Sequence, residues 1–440
     1  MRKFPFEWND LADQPHNVGP RSERTLHHLR HWRTYLALAW ADLVWGVPAV
    51  LRYRRYRRQM HRLPVPVSAD MFAVAVSPRF GRPPAETDAL LGLLGETGVR
   101  QTLFRVPSWE KGRLADFEAF ARRLRSAGPR YGLTAALLQR REDVFEGGAW
   151  ARFLEEAFAR LGPDVPFFEV GHAWNRTKWG VWDYTEYLKL ARPAVALRDR
   201  APVGRRVKLV GPAVIDFEFH LYPPTLRAVD FDVVSSLLYV DRVGAPENAQ
   251  AGWTAAMKVA LFAAVADASS RRPVPAWITE VNWPLAGTGL YSPAAGRPNV
   301  GEEAQADYLV RYYVLCLTSG LIDRVCWWQL VAPGYGLVDS RETPWRRRPS
   351  FFAFKTMVER LSGSVFVGKD DPPPGLAGRP AEVYRFTRDG RDFALAWTAG
   401  PSLSHEFGRP VAAVFSRDGV EVPLSGTRVR LDSSPRYIMF

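Results

Sequence analysis

Between residues 72 and 361 the chain alternates eight times between a short apolar run and a longer stretch with helical spacing. The strand-like runs lie at 72–77, 101–106, 131–138, 167–171, 207–211, 231–238, 274–279 and 323–330. The helix-like runs lie at 86–97, 113–126, 149–161, 185–199, 249–268, 302–319 and 350–361, and only a turn around Pro223-Pro224 follows the fifth strand. Thr185 is the expected N-cap of its helix. Such alternation places helices on the faces of a parallel sheet. Eight units in this length fit a closed (β/α)8 TIM barrel, which takes about 250 residues. An open doubly wound sheet wants a glycine-rich phosphate turn after an early strand, and the sequence has none.

Both flanks differ from this repeat, which divides the chain into residues 1–66, 67–363 and 364–440. The last part has short alternating runs and Asp-Gly turns at 389–390 and 418–419. It predicts a C-terminal β-sandwich, beginning with the 372–374 proline loop. The first part is a basic, amphipathic N-terminal extension. Its apolar run at 34–51 is interrupted by Asp42, Gly46 and Pro48, preceded by Arg24, Arg30 and Arg33, and followed by six arginines between 52 and 62. A spanning helix needs about 20 apolar residues. This run is shorter, and Trp32, Trp40 and Trp45 suit the headgroup level. The expectation is therefore an interfacial helix, with residues 24–62 lying on an anionic membrane surface. The competing reading packs the helix on the barrel with its arginine stems over apolar surface.

A barrel presents chemistry at the carboxyl ends of its strands. At the fourth strand the sequence reads Phe167-Phe-Glu-Val-Gly-His-Ala-Trp-Asn175, so Gly171 frees the backbone just before His172 and Asn175. The seventh strand ends on Glu280, and a buried carboxylate there requires a partner. Arg105, at the end of the second strand, can supply it and keep Glu280 ionised. Tyr239 ends the sixth strand, where a phenol could hydrogen-bond the same carboxylate. On the eighth strand Trp327 and Trp328 are adjacent, so one indole faces the pocket and the other the helices. Asp216, Glu218 and His220 alternate after the fifth strand, as a rim site or as metal ligands. No second His/Asp set stands out in the sequence, so no metal or other cofactor is expected.

The net charge of +13 permits nucleic acid, an anionic membrane or an acidic glycan as partner. No phosphate loop, zinc-finger spacing or RNA-binding signature supports the first, so no nucleic acid is expected. A Gly-x-Ser-x-Gly turn is also missing, which argues against Ser-His-Asp hydrolysis. The 16 tryptophans suit sugar stacking as well as cores. The two cysteines, Cys316 and Cys326, read as core and fit a reducing compartment. No apolar core and cleavage site follow Met1-Arg-Lys, so no signal peptide is expected.

Taken together, these motifs resemble the clan-A retaining glycoside hydrolases, in particular the β-xylosidase and α-iduronidase branch. Phe168-Glu-Val-Gly-His-Ala-Trp-Asn175 is similar to the fourth-strand motif Glu-Ile-Gly-Asn-Glu-Pro-Asn. Pro275-Ala-Trp-Ile-Thr-Glu280 is similar to the nucleophile segment, Leu237-Leu-Tyr239 to the sixth-strand His-x-Tyr, and Trp327-Trp328-Gln329 to the eighth strand. The resemblance implies Glu280 as nucleophile. It implies a sugar held by Arg105, Trp109, Asn175, Tyr239, Trp327 or Trp328. It departs where the general acid should stand, because that position is Ala173. Retaining hydrolysis uses two carboxyl groups about 5 Å apart. His172 or Glu218 is then the candidate acid, while Glu169 lies too far below the mouth.

The expected activity is glycoside-hydrolase-like, on a surface-polysaccharide or lipid-linked precursor at the cytoplasmic face of a membrane. The alternative is a catalytically inactive glycan-binding protein or membrane-associated scaffold. Either glycan reading expects Glu280 to look across an open mouth walled by indole.

Overall fold

The computed structural model describes residues 6–440 apart from 16–20, 128–130, 217, 242–243, 294–298, 371–380 and 425–427. Eight parallel strands close into a barrel. They are β1 (Phe72–Ala75), β2 (Gln101–Pro107), β3 (Gly132–Leu138), β4 (Phe167–Val170), β5 (Lys208–Ile215), β6 (Val233–Leu237), β7 (Ala276–Val281) and β8 (Arg324–Trp327). Each pairs with its sequence neighbour, and β8 returns to β1 through Val325–Phe72 and Trp327–Val74. The fold is therefore a (β/α)8 TIM barrel. Outward side chains such as Phe104, Phe168, Ile278 and Val325 join one large core with the helices, whereas Ala73, Leu103, Ala136 and Cys326 fill the barrel.

Several local expectations shift. The fifth unit does contain a helix, Tyr222–Ala228, because Pro223 and Pro224 occupy its first turn, where no N–H is needed. Asp183, not Thr185, caps the helix Tyr184–Arg200, accepting from the backbone N–H of Thr185 and Glu186. A carboxylate two residues earlier reaches both orphan donors.

A C-terminal β-sandwich follows the barrel. Its larger sheet has seven strands, one of which is Val65–Pro66 from ahead of the barrel, paired with Val365–Lys369. The second layer is the pair Leu403–Glu406 and Arg428–Leu431. Val383, Ala394, Val414, Leu431 and Ile438 pack between them. The proline loop at 372–374 lies outside the described residues.

The N-terminal segment forms a hairpin, Trp8–Asn9 against Gln14–Pro15, then helix α1 (Arg21–Arg30) and helix α2 (Trp32–Gln59). Helix α2 extends beyond the apolar run through the arginines, with Pro48 inside it. One side packs on the barrel helices Tyr222–Ala228 and Ala255–Ser269. Trp45 faces the barrel, where Arg227 stands 4.4 Å from its ring. The opposite side exposes Trp32, Leu36, Trp40, Leu43, Val47 and Leu51. These recur every three or four residues and so form one apolar stripe. By length and composition α2 could cross a membrane.

Candidate active site

Glu280 owes its direction to an irregularity. Strict alternation would send Thr279 inward and Glu280 outward, but the β7–β8 register shifts between Ile278 and Val281. Thr279 Oγ1 therefore donates to Glu169 Oε1 inside the barrel (2.6 Å), and Glu280 also reaches the mouth. There Arg105 Nη2 donates to Glu280 Oε2 at 2.7 Å, and the Tyr239 hydroxyl donates to Oε1 at 2.6 Å. His172 Nε2 lies 3.2 Å from Oε2 and 2.8 Å from Arg105 Nη2. Burial pushes the carboxyl up. The charges of His172 and Arg105, with hydrogen bonds from His172 and Tyr239, outweigh that and hold it at about 2. Glu280 is thus an anion at neutral pH with both oxygens engaged.

The groups around it are fixed in turn. Gln139 donates to the His172 and Trp179 carbonyls and accepts from the His172 N–H, which pins the turn after β4. Gly171 has φ +79°, and a Cβ there would sit 2.9 Å from the Tyr187 ring, so the turn needs glycine. Ala173 also lies in the left-handed region, at φ 43°. His172 Nδ1 makes no hydrogen bond among the described residues and stands 4.0 Å from Glu169. Arg105 stacks on Trp328, its guanidinium carbon 3.6 Å from the ring centroid, so one indole face already carries a cation.

The open mouth expected from the sequence is not what the fold presents. The hairpin crosses it, and Glu280 is only 6% exposed. Asp13 stands at the hairpin tip with φ 51°. Arg105 Nη1 donates to both its backbone oxygen and its Oδ2 at 2.9 Å, and Gln329 Nε2 donates to Oδ2 at 3.0 Å. Gln14 donates to the Pro293 carbonyl and accepts from Lys178. Trp8 packs against Trp109 and Trp179. Beneath the hairpin lies a cavity of about 140 Å³ lined by Asp13, Arg105, His172, Glu280 and Trp328 among others. Small-molecule sites usually measure about 300–1,000 Å³. In this closed state there is no room for a glycan chain.

Arg105, His172, Tyr239, Glu280 and Trp328 therefore meet. Four other candidates stand elsewhere. Trp327 faces outward, its ring centroid 6.2 Å from that of Trp283, because the strand's alternation gives the pocket to Trp328. Trp109 is covered by Phe6 and Trp8 of the N-terminal segment. Asn175 spends its amide on the Ile215 backbone, donating to the carbonyl (3.0 Å) and accepting from the N–H (2.9 Å). Glu218 and Asp216 both accept from Arg176. That guanidinium lines the cavity in their place, and His220 is exposed on a short helix.

Sequence reasoning missed Asp13, Gln14, Lys178 and Trp179 and gave Gln329 no role. Nothing in the spacing of residues 1–66 sets their register against the barrel. It also missed a second ionisable group. His27 Nε2 lies 2.6 Å from Asp183 Oδ2, and the His31 ring stacks on His27 at 4.1 Å. These three side chains lie within metal-ligand reach of one another. In the structure His27 and Asp183 are joined directly, which fastens α1 to the loop after β4.

No protein-family model and no curated protein matches the chain. Solved structures do share its fold. A family 51 α-L-arabinofuranosidase from Bifidobacterium longum aligns over 87% of this chain and 98% of its own, with 13% identity and a TM-score of 0.59. A GH51 arabinofuranosidase from Xanthomonas axonopodis pv. citri aligns over the same shares, with 13% identity and a TM-score of 0.57.

Proposed function

We propose that the chain acts on a glycan at its barrel mouth by glycoside-hydrolase-type chemistry, with Glu280 as the nucleophile. One observation carries this reading: an ionised carboxylate at the carboxyl end of β7, held by Arg105 and Tyr239 above a small cavity. The arabinofuranosidases that share the fold add weight to a sugar as substrate. The covered mouth counts against it less than core packing would. The cover is a hairpin of two-residue strands, held over the cavity by polar contacts at Asp13 and Gln14 and by Trp8 on Trp109 and Trp179. Arg105 and Tyr239 orient Glu280, and Trp328 forms the wall. His172 is the imidazole nearest the reacting oxygen. Glu218 would have to leave Arg176 to serve as the acid. The retaining mechanism and a lipid-linked or surface-polysaccharide substrate belong to this proposal.

The test is activity on aryl glycosides, beginning with α-L-arabinofuranosides and β-D-xylosides. Glu280→Gln should abolish turnover, and Ala173→Glu should keep or raise it. Equal activity in wild type and Glu280→Gln refutes a nucleophilic role. A second reading, a glycan-binding protein without turnover, is favoured by Ala173 at the acid position; loss of acid/base help costs about 10²–10⁴ in rate. The exposed stripe on α2, with Arg30 and Arg33 at one end and Arg54, Arg55, Arg57 and Arg58 at the other, supports a site on the cytoplasmic face of an anionic membrane.

A further inference from the structure

The hairpin brings a carboxylate of this chain to a receptor that the barrel builds without it. Arg105 projects from β2 and Gln329 follows β8, and both are buried. Their Nη1 and Nε2 atoms converge on a single oxygen of Asp13. A buried guanidinium N–H and a buried amide N–H left without an acceptor are costly. The barrel is therefore shaped for a carboxyl oxygen at that point, whoever supplies it. Arg176 and Lys178 line the same cavity, and among the described residues the carboxylates lining it are Asp13 and Glu280. Without Asp13, Arg105 Nη1 and Gln329 Nε2 would each lose the oxygen they share.

Asp13 fills this place under tension. Its backbone is left-handed, and the strands behind it are two residues long. Burial, with help from the nearby Glu280, raises its carboxyl to about 6 against the pull of Arg105 and His172. A segment held in this way can be displaced by a ligand offering the same group without the strain.

We infer that residues 6–15 are an intramolecular stand-in for substrate, and that the glycan this site takes carries a carboxylate, as a uronic-acid unit does, which replaces Asp13 on Arg105 and Gln329. This rests on the glycan reading of the site and narrows it to acidic sugars. It does not depend on turnover.

The experiment uses the full chain, wild type and Asp13→Ala, with Asp13→Asn as the variant closest in shape. Acetate is the simplest probe, with sodium chloride at equal ionic strength as control. It should raise the melting temperature of Asp13→Ala and leave wild type unmoved. By calorimetry, D-glucuronate and D-galacturonate should bind Asp13→Ala at least about tenfold more tightly than wild type, a gain that D-glucose and D-galactose lack. Adding Gln329→Leu should remove that gain. Equal behaviour of uronates and neutral sugars, no acetate effect, or no binding to either variant overturns the inference. Because every readout is binding, an inert Glu280 would sink the catalytic proposal and leave this one standing.

Discussion

The two halves of the N-terminal segment meet the barrel in opposite ways. Residues 6–15 bring polar groups to a mouth that matches them, so that Asp13 finds Arg105 and Gln329, and Gln14 finds Lys178 and Pro293. Residues 32–51 bring an apolar stripe that no described part of the chain covers, with Trp40 66% and Leu43 65% exposed. Matched donors and acceptors in a cavity are how a ligand is held. A continuous apolar face in water calls for a surface outside the chain. One half of the segment is thus taken up by the barrel, and the other is left facing outward.

The largest effect should come from breaking the first contact. Arg105→Ala strips Glu280 and Asp13 of their shared cation in a buried site, which costs about 3–5 kcal/mol. Urea unfolding should show this loss. The quadruple change Leu36→Ser, Trp40→Ser, Leu43→Ser and Val47→Ser should leave stability within about 1 kcal/mol, because those side chains are mostly exposed among the described residues. A comparable loss in both would erase the contrast.

Next in size is the membrane effect. The same quadruple variant should lose at least about tenfold of its binding to anionic vesicles in flotation, whereas Asp13→Ala should float like wild type. No flotation by wild type would leave the stripe without a role.

The smallest effect is a pH dependence of the hairpin. Its facing groups are Arg105, Glu280, His172 and Asp10. Seated, Asp13 holds its proton up to about pH 6; released, it returns towards 3.8. The seated state therefore binds the proton more tightly. Lowering the pH from 7 to 5 favours seating, and raising it through 6 weakens it. Amide exchange of residues 8–14, corrected for intrinsic rates, should be several-fold slower at pH 5, and Asp13→Asn should flatten the difference.

The sequence carried the barrel because eight strand–helix alternations admit few architectures, and it carried Arg105, Tyr239 and Glu280 because strand ends converge at one mouth. It carried the pair Trp327 and Trp328 only as a choice, since period-two alternation says that one faces inward without saying which. Glu280 itself reaches the pocket through a register shift that no pattern announces. Asn175 and Glu218 look free in sequence but are claimed by Ile215 and Arg176, partners distant along the chain. Asp13 was illegible for the same reason on a larger scale. Its contacts with Arg105 and Gln329 span 92 and 316 residues, and local pattern is silent at that range.

The central claim is that Glu280 is an ionised nucleophile beneath a displaceable hairpin. Incubating wild type and Asp13→Ala with a panel of fluorinated dinitrophenyl glycosides, acidic and neutral, and mapping the adducts by peptide mass spectrometry tests it most directly. The account predicts one glycosyl adduct, on the peptide containing Glu280, formed faster in Asp13→Ala and missing from Glu280→Gln. An adduct on another carboxylate, or none in either protein, would contradict it.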